Sequence, residues 1–259
     1  MPAVFAVRHS RCTGDPLRST AIPALDAYYE AADVPLNWGD VVQVHGSQGS
    51  GKRHLLYFLL ATCLAHDGWN RPAIVLDVSG KFSLKRFRQI LDHRLGHNAE
   101  EVARSMRTLQ IFRPASTAQL LATVTQLSAK HTSDPPPGVV AIHAVDAYYW
   151  PDRFRTEQLR STAPSPLRRL AAKIDDLRRA LGPLVVISSW GLARNLGDGN
   201  RDPARVDLEA LSPLPVTHLV VLAQKDQTTS KFNAIWQTPT RPDKAVFTMK
   251  IVQEGIAIA

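Results

Sequence analysis

The chain has 259 residues, 44% hydrophobic and 21% charged, with a formal net charge of +8 and a pI near 9.8. That is enough apolar material for one large or two small globular domains with a sizeable core. The longest apolar stretch, around residues 55–64, is too short to span a bilayer. The N-terminus lacks the basic start and long apolar run of a signal peptide, and Cys12 and Cys63 form no disulfide framework. A membrane span and a disulfide-stapled secreted scaffold are thereby excluded, and a reducing compartment is expected. Cys63 reads most simply as a core residue. The arginine excess suits acidic partners, nucleic acid foremost, or a merely soluble basic surface.

Residues 1–38 read as a lead-in, irregular except for a helical stretch near 22–32. Pro35, Leu36, Asn37, Trp38, Gly39 and Asp40 turn the chain into a first strand, Val41, Val42, Gln43 and Val44. Such a β-branched run suits a buried strand. Gly46, Ser47, Gln48, Gly49, Ser50, Gly51 and Lys52 then match the phosphate loop G-x-x-x-x-G-K. Glycines there permit a tight turn and close approach of backbone N–H groups to anionic oxygens. An apolar helix follows from His54 to Ala61, its positive end toward the loop. The position after the lysine asks for Ser or Thr, whose hydroxyl ligates Mg²⁺, and Arg53 stands there instead. A guanidinium is a permanent cation with no lone pair for a metal. ATP remains a possible ligand of this loop, with Mg²⁺ doubtful. Lys52 has two readings: contact with nucleotide phosphate, or contact with the loop's own carbonyls.

Ala73, Ile74, Val75, Leu76 and Asp77 form a second buried strand, and Ser83 caps a helix whose apolar face is Leu84, Phe87, Ile90, Leu91 and Leu95. Leu109 to Phe112 is a third strand, and a helix runs from about 116 to 130. A Pro-rich breaker at 134–138 precedes the fourth strand, Val139, Val140, Ala141 and Ile142. Ser165 and Pro166 open a helix that buries Leu167, Leu170, Ile174, Leu177 and Leu181 and turns Arg168, Arg169, Lys173, Arg178 and Arg179 to water. Leu184 to Ser189 is the fifth strand, and runs near 218–222, 232–237 and 245–252 are further strands. Alternating strands and helices predict an α/β domain over 39–259 with a mainly parallel sheet flanked by helices and antiparallel strands at the C-terminal edge.

The residue after the fourth strand is His143, where a phosphate-loop enzyme needs a metal carboxylate; Asp146 lies three residues further on and is a displaced substitute at best. A neutral imidazole is a poor Mg²⁺ ligand, so His143 reads as a satisfied strand-end histidine.

The stretch from Ile142 to Arg153, with its Tyr148-Tyr149-Trp150-Pro151-Asp152-Arg153 run, resembles the end of the fourth core strand in the eukaryotic paralogues of the RecA-type recombinase. It is most similar to the X-ray-repair cross-complementing subgroup that pairs with the D-type recombinase paralogue. Gly39-Asp40, Leu56-Tyr57, Ala61-x-Cys63 and Leu91-x-His93-Arg94-Leu95 are similar as well. The resemblance runs from about residue 39 to 190 and is weaker in the C-terminal strands. It implies a RecA-like core without the helical N-terminal domain of full-length recombinases. In active members an Asp-x-Glu-Gly follows the second strand; here Ser79 falls at the Glu that activates water. The strand-end Asp falls at His143, and the Gln that senses the γ-phosphate falls at Trp190. With Arg53, four functional positions depart, and the expectation is a pseudo-ATPase.

The resemblance further implies a nuclear subunit for homologous recombination repair, paired with another recombinase paralogue in a heterodimer or larger complex. It would support the recombinase filament on single-stranded or branched DNA. The family's two DNA-facing loops match segments 151–164, with Arg153, Arg155 and Arg160, and 191–215, with Arg194, Arg201 and Arg205. Tyr148, Tyr149 and Trp150 form a stacking surface or an apolar interface. Two other readings stay open: an active DNA-dependent ATPase using Asp146 for magnesium, and a RecA-like scaffold subunit of a non-repair assembly such as the tRNA-modifying Elongator complex.

Overall fold

The computed structural model describes residues 16–17, 19–32, 35–130, 135–158, 166–190, 214–224, 231–238 and 244–258. In chain order the elements are α1 (Pro23–Ala32), β1 (Val41–Gly46), α2 (Lys52–Leu64), β2 (Ala73–Asp77), α3 (Leu84–Arg94), α4 (Ala99–Arg107), β3 (Leu109–Phe112), α5 (Thr117–Lys130), β4 (Val139–His143), α6 (Tyr149–Gln158), α7 (Pro166–Leu181), β5 (Leu184–Trp190), β6 (His218–Gln224), β7 (Lys231–Gln237), β8 (Lys244–Val252) and β9 (Gly255–Ile258). They build a nine-stranded sheet in the order β3-β2-β4-β5-β1-β6-β7-β8-β9.

The first six strands in that order run parallel, and β7, β8 and β9 add antiparallel. Side chains alternate between the faces of each strand, so the sheet feeds two cores. On one face Val42, Val44, Val75, Ala141 and Val186 pack with Leu55 and Leu59 of α2, Phe87 and Leu91 of α3, Val102 of α4, and Leu25 and Tyr29 of α1. On the other face Val41, Ile74, Leu76, Ile142 and Ile187 pack with Leu120 and Val124 of α5 and Leu170, Ile174 and Leu177 of α7. Strands buried on both faces need continuous apolar runs, which is why β1, β2, β4 and β5 were legible in the sequence.

The α/β architecture expected from the sequence is the one observed, with four differences of detail. β6 lies parallel beside β1 and is part of the parallel core. α4 and the β9 strand, which closes a hairpin onto β8, are elements that no periodic run in the sequence announces. Leu84, expected on the buried face of α3, is 46% exposed. The lead-in helix α1 is seated in the first core through Ile22, Leu25 and Tyr29. No helix among the described residues is long and apolar enough to cross a membrane.

Candidate phosphate-binding site

The site lies at the carboxyl ends of β1, β2, β4 and β5, the crevice where open parallel sheets receive ligands. β1 ends at Gly46, whose backbone pairs with both Trp190 of β5 and Leu222 of β6. A Cβ on Gly46 would stand 2.5 Å from Ser50 Oγ and 2.7 Å from the Leu222 carbonyl oxygen, so the loop departs through a gap only glycine fits. The turn closes with Ser50 N–H donating to the Ser47 carbonyl at 3.2 Å. Gly51 caps α2 in the left-handed region (φ 86°), and a Cβ there would stand 2.9 Å from Met249 Cε of β8. No side chain caps this helix start, the arrangement that anion-binding loops use.

Lys52 turns back into the loop. Its ammonium donates to the carbonyls of Gly46 and Ser47 at 2.6 Å each and lies 3.5 Å from Ser50 Oγ. The side chain is buried, and desolvation holds its pKa below the ordinary lysine range; the Asp146 carboxylate opposes that shift and Arg53 adds to it. Arg53 is half-buried on the next position of the helix. Its Nε is buried without a hydrogen-bond partner.

Opposite the loop, Asp77 and His143 are register partners on β2 and β4. Asp77 is fully engaged in holding the turn after β2: its carboxylate accepts from Phe82 N–H (2.9 Å), Lys81 N–H (3.2 Å) and Ser79 Oγ (3.3 Å), with Arg113 Nε at 3.7 Å. Ser79, at the position where the resembled enzymes carry Glu, is thus part of a turn.

His143 is buried, with Nδ1 2.8 Å from Ser188 Oγ. The same Ser188 oxygen accepts from Ala144 N–H at 2.8 Å, and the Ser188 carbonyl accepts from Val145 N–H at 3.0 Å. One hydroxyl thus serves both the Ala144 N–H and the His143 ring nitrogen. Burial first, then the Arg53 charge, pull the His143 pKa down to about 4. The imidazole is therefore neutral at physiological pH. The expectation of a satisfied strand-end histidine describes it well.

On the other face of the sheet, Ser189 takes a parallel role: Gln43 Nε2 donates to its hydroxyl at 3.0 Å and His45 Nδ1 lies 3.3 Å from it. The signal for these serines in the sequence is two consecutive hydroxyls following the aliphatic run of β5.

Of the arginines expected at DNA, Arg153 and Arg155 fall within α6, in a segment expected to be a loop, and their side chains lie outside the described residues. Arg160, Arg194, Arg201 and Arg205 lie outside the described residues altogether, as does Cys12. Tyr148 donates its hydroxyl to the Pro114 carbonyl at 3.0 Å, and Thr117 Oγ1 donates to Asp152 Oδ2 at 2.5 Å, which ties α6 to the start of α5. Trp150 and Phe154 remain exposed one helical turn apart, with ring centroids 6.2 Å from each other. Cys63 is a core residue, fully buried, its thiol pKa pushed up by burial.

No protein-family model matches the chain. It is 26% identical over 176 residues to the DNA repair protein XRCC2 of Mus musculus, an alignment covering 66% of this chain and 63% of that one. The chain thus spans less than two thirds of the length of the relative it matches. The motifs that carried the resemblance and this alignment agree, and the chain is a distant homologue of DNA repair protein XRCC2, a RecA paralogue.

Proposed function

We propose that this chain is a non-hydrolysing subunit of a recombinase-paralogue assembly serving homologous recombination repair of DNA, with a phosphate loop that holds nucleotide but does not turn it over. The observation that carries this reading is the donor set facing the loop. Mg²⁺ takes oxygen ligands in a tight octahedral shell. Here a guanidinium stands at the hydroxyl position, and a neutral imidazole tied to Ser188 stands at the strand-end carboxylate position. These residues do not fit Mg²⁺. The Ser79 hydroxyl, bound into the Asp77 turn, is neither long nor basic enough to activate a water. Metal, γ-phosphate and water positioning each contribute orders of magnitude in rate, so their joint replacement removes hydrolysis and leaves a scaffold.

Kinship with a DNA repair protein supports the repair assignment. A RecA-type paralogue as partner, the recombinase filament, single-stranded or branched DNA and a nuclear site are extensions of that kinship. One observation favours a second reading, an ATPase that recruits Asp146 for magnesium: the Asp146 carboxylate is near enough to Lys52 to oppose the lowering of its pKa by burial. Affinity purification of the tagged chain from its native host tests the assembly. A co-purifying RecA-type paralogue is the expected result; a set of co-purifying chains without any RecA-type protein contradicts it.

A further inference from the structure

The loop departs from its motif by gaining a charge where the motif supplies a metal ligand. Arg53 adds a permanent cation one residue from Lys52, on the first turn of the helix that faces the bound phosphates in such folds. Lys52 is already committed to two carbonyl oxygens at 2.6 Å. Arg53 is not: its Nε is buried with no acceptor, and among the described residues no carboxylate lies in ion-pair range of it. A buried donor left without a partner is costly, and an anionic oxygen is the group that best satisfies a guanidinium.

The surroundings are cationic as well. Lys52, Arg53 and Lys81 all act on His143, and Arg86 and Arg53 both act on His54, in each case adding to burial in lowering the imidazole pKa. Against these stand Asp146 and Asp77, and Asp77 is engaged by its own turn and by Arg113. Lys52 and Arg53 at the start of α2, with Lys81 near enough to act on the same His143, provide on the protein the positive charge that Mg²⁺ brings to a polyphosphate elsewhere.

We infer that the guanidinium of Arg53 replaces the divalent cation, so that the loop takes a nucleoside di- or triphosphate in its metal-free form. This rests on the reading above that the loop holds nucleotide, and it adds how the phosphate charge is met. It also gives Arg53 a positive role rather than that of a lesion.

The test is calorimetric titration of the purified chain with ATP and with ADP, once in Mg²⁺ and once in EDTA. The expected result is binding in EDTA at least as tight as in Mg²⁺. Arg53→Gln, which removes the charge and cannot ligate a metal well, weakens binding in EDTA about tenfold or more. Arg53→Lys retains most of it, and Arg53→Thr, which restores the motif's hydroxyl, makes binding magnesium-dependent. Circular dichroism melts of each variant separate loss of binding from loss of fold. Binding that requires Mg²⁺ in the wild type, or an Arg53→Gln protein that binds in EDTA as the wild type does, overturns the inference and leaves nucleotide retention standing. No binding under either condition overturns both.

Discussion

Ser188 joins two strand ends with one hydroxyl. It receives the Ala144 N–H, whose residue is held at a positive φ of 58°, and steers the neutral His143 ring. Ser188→Ala leaves a buried N–H and a buried ring nitrogen unpartnered, for an expected loss of about 1–3 kcal/mol of stability. His143 also gives the fold a pH dependence with a definite sign. Its ordinary pKa is 6.5 and its folded value is about 4, so the folded state disfavours the proton. The contribution is fully present above pH 6.5 and is lost as pH falls from there through about 4, amounting to about 3 kcal/mol at most. His45 and His54, also lowered by burial, act in the same direction. Urea unfolding at pH 7 and pH 4.5 checks this: the wild type loses more stability between the two than His143→Gln does. An identical loss in both proteins would show that this imidazole is not the group being titrated.

Among the elements, legibility followed burial. β1, β2, β4 and β5 announce themselves because two covered faces demand unbroken aliphatic runs, and α7 does so through Leu170, Ile174 and Leu177 at three- and four-residue spacing. α4 did not, because only Val102 and Ser105 of its nine residues are buried. Its real signature is electrostatic. Asn98 accepts from the N–H groups of Glu100 and Glu101 at 3.2 Å, the two acids sit in the first turn, and Arg104 and Arg107 sit in the last. Asn98→Ala should cost about 1 kcal/mol in a thermal or denaturant melt, whereas an unchanged midpoint would mean that packing alone holds the helix.

The β8–β9 hairpin was hidden for a different reason. Its turn, Gln253-Glu254, has none of the Asn-Gly or Asp-Gly chemistry that marks tight turns, and is held instead from α3, where Arg86 donates to the Val252 carbonyl at 2.8 Å. A contact between residues 166 apart in the chain is invisible to any local pattern. The strand, glycine turn and helix around Lys52, by contrast, were readable, because they are contiguous in sequence. The serine supports on β5 were not.

At the scale of the whole molecule, the sheet and its two cores form one frame behind the loop. Two buried cores clamp one continuous sheet, and Met249 of β8 packs against the loop at Gly51. Exposed Trp150 and Phe154 on α6 and a formal charge of +8 leave surface suited to partners and to nucleic acid.

The most direct test of this central idea is steady-state phosphate release from Mg·ATP by the purified chain, alone and with whatever partner it brings along, with and without single-stranded DNA, beside the Lys52→Ala variant. The account predicts rates indistinguishable from the variant under every condition. Sustained magnesium-dependent release by the wild-type chain that disappears in Lys52→Ala would contradict it.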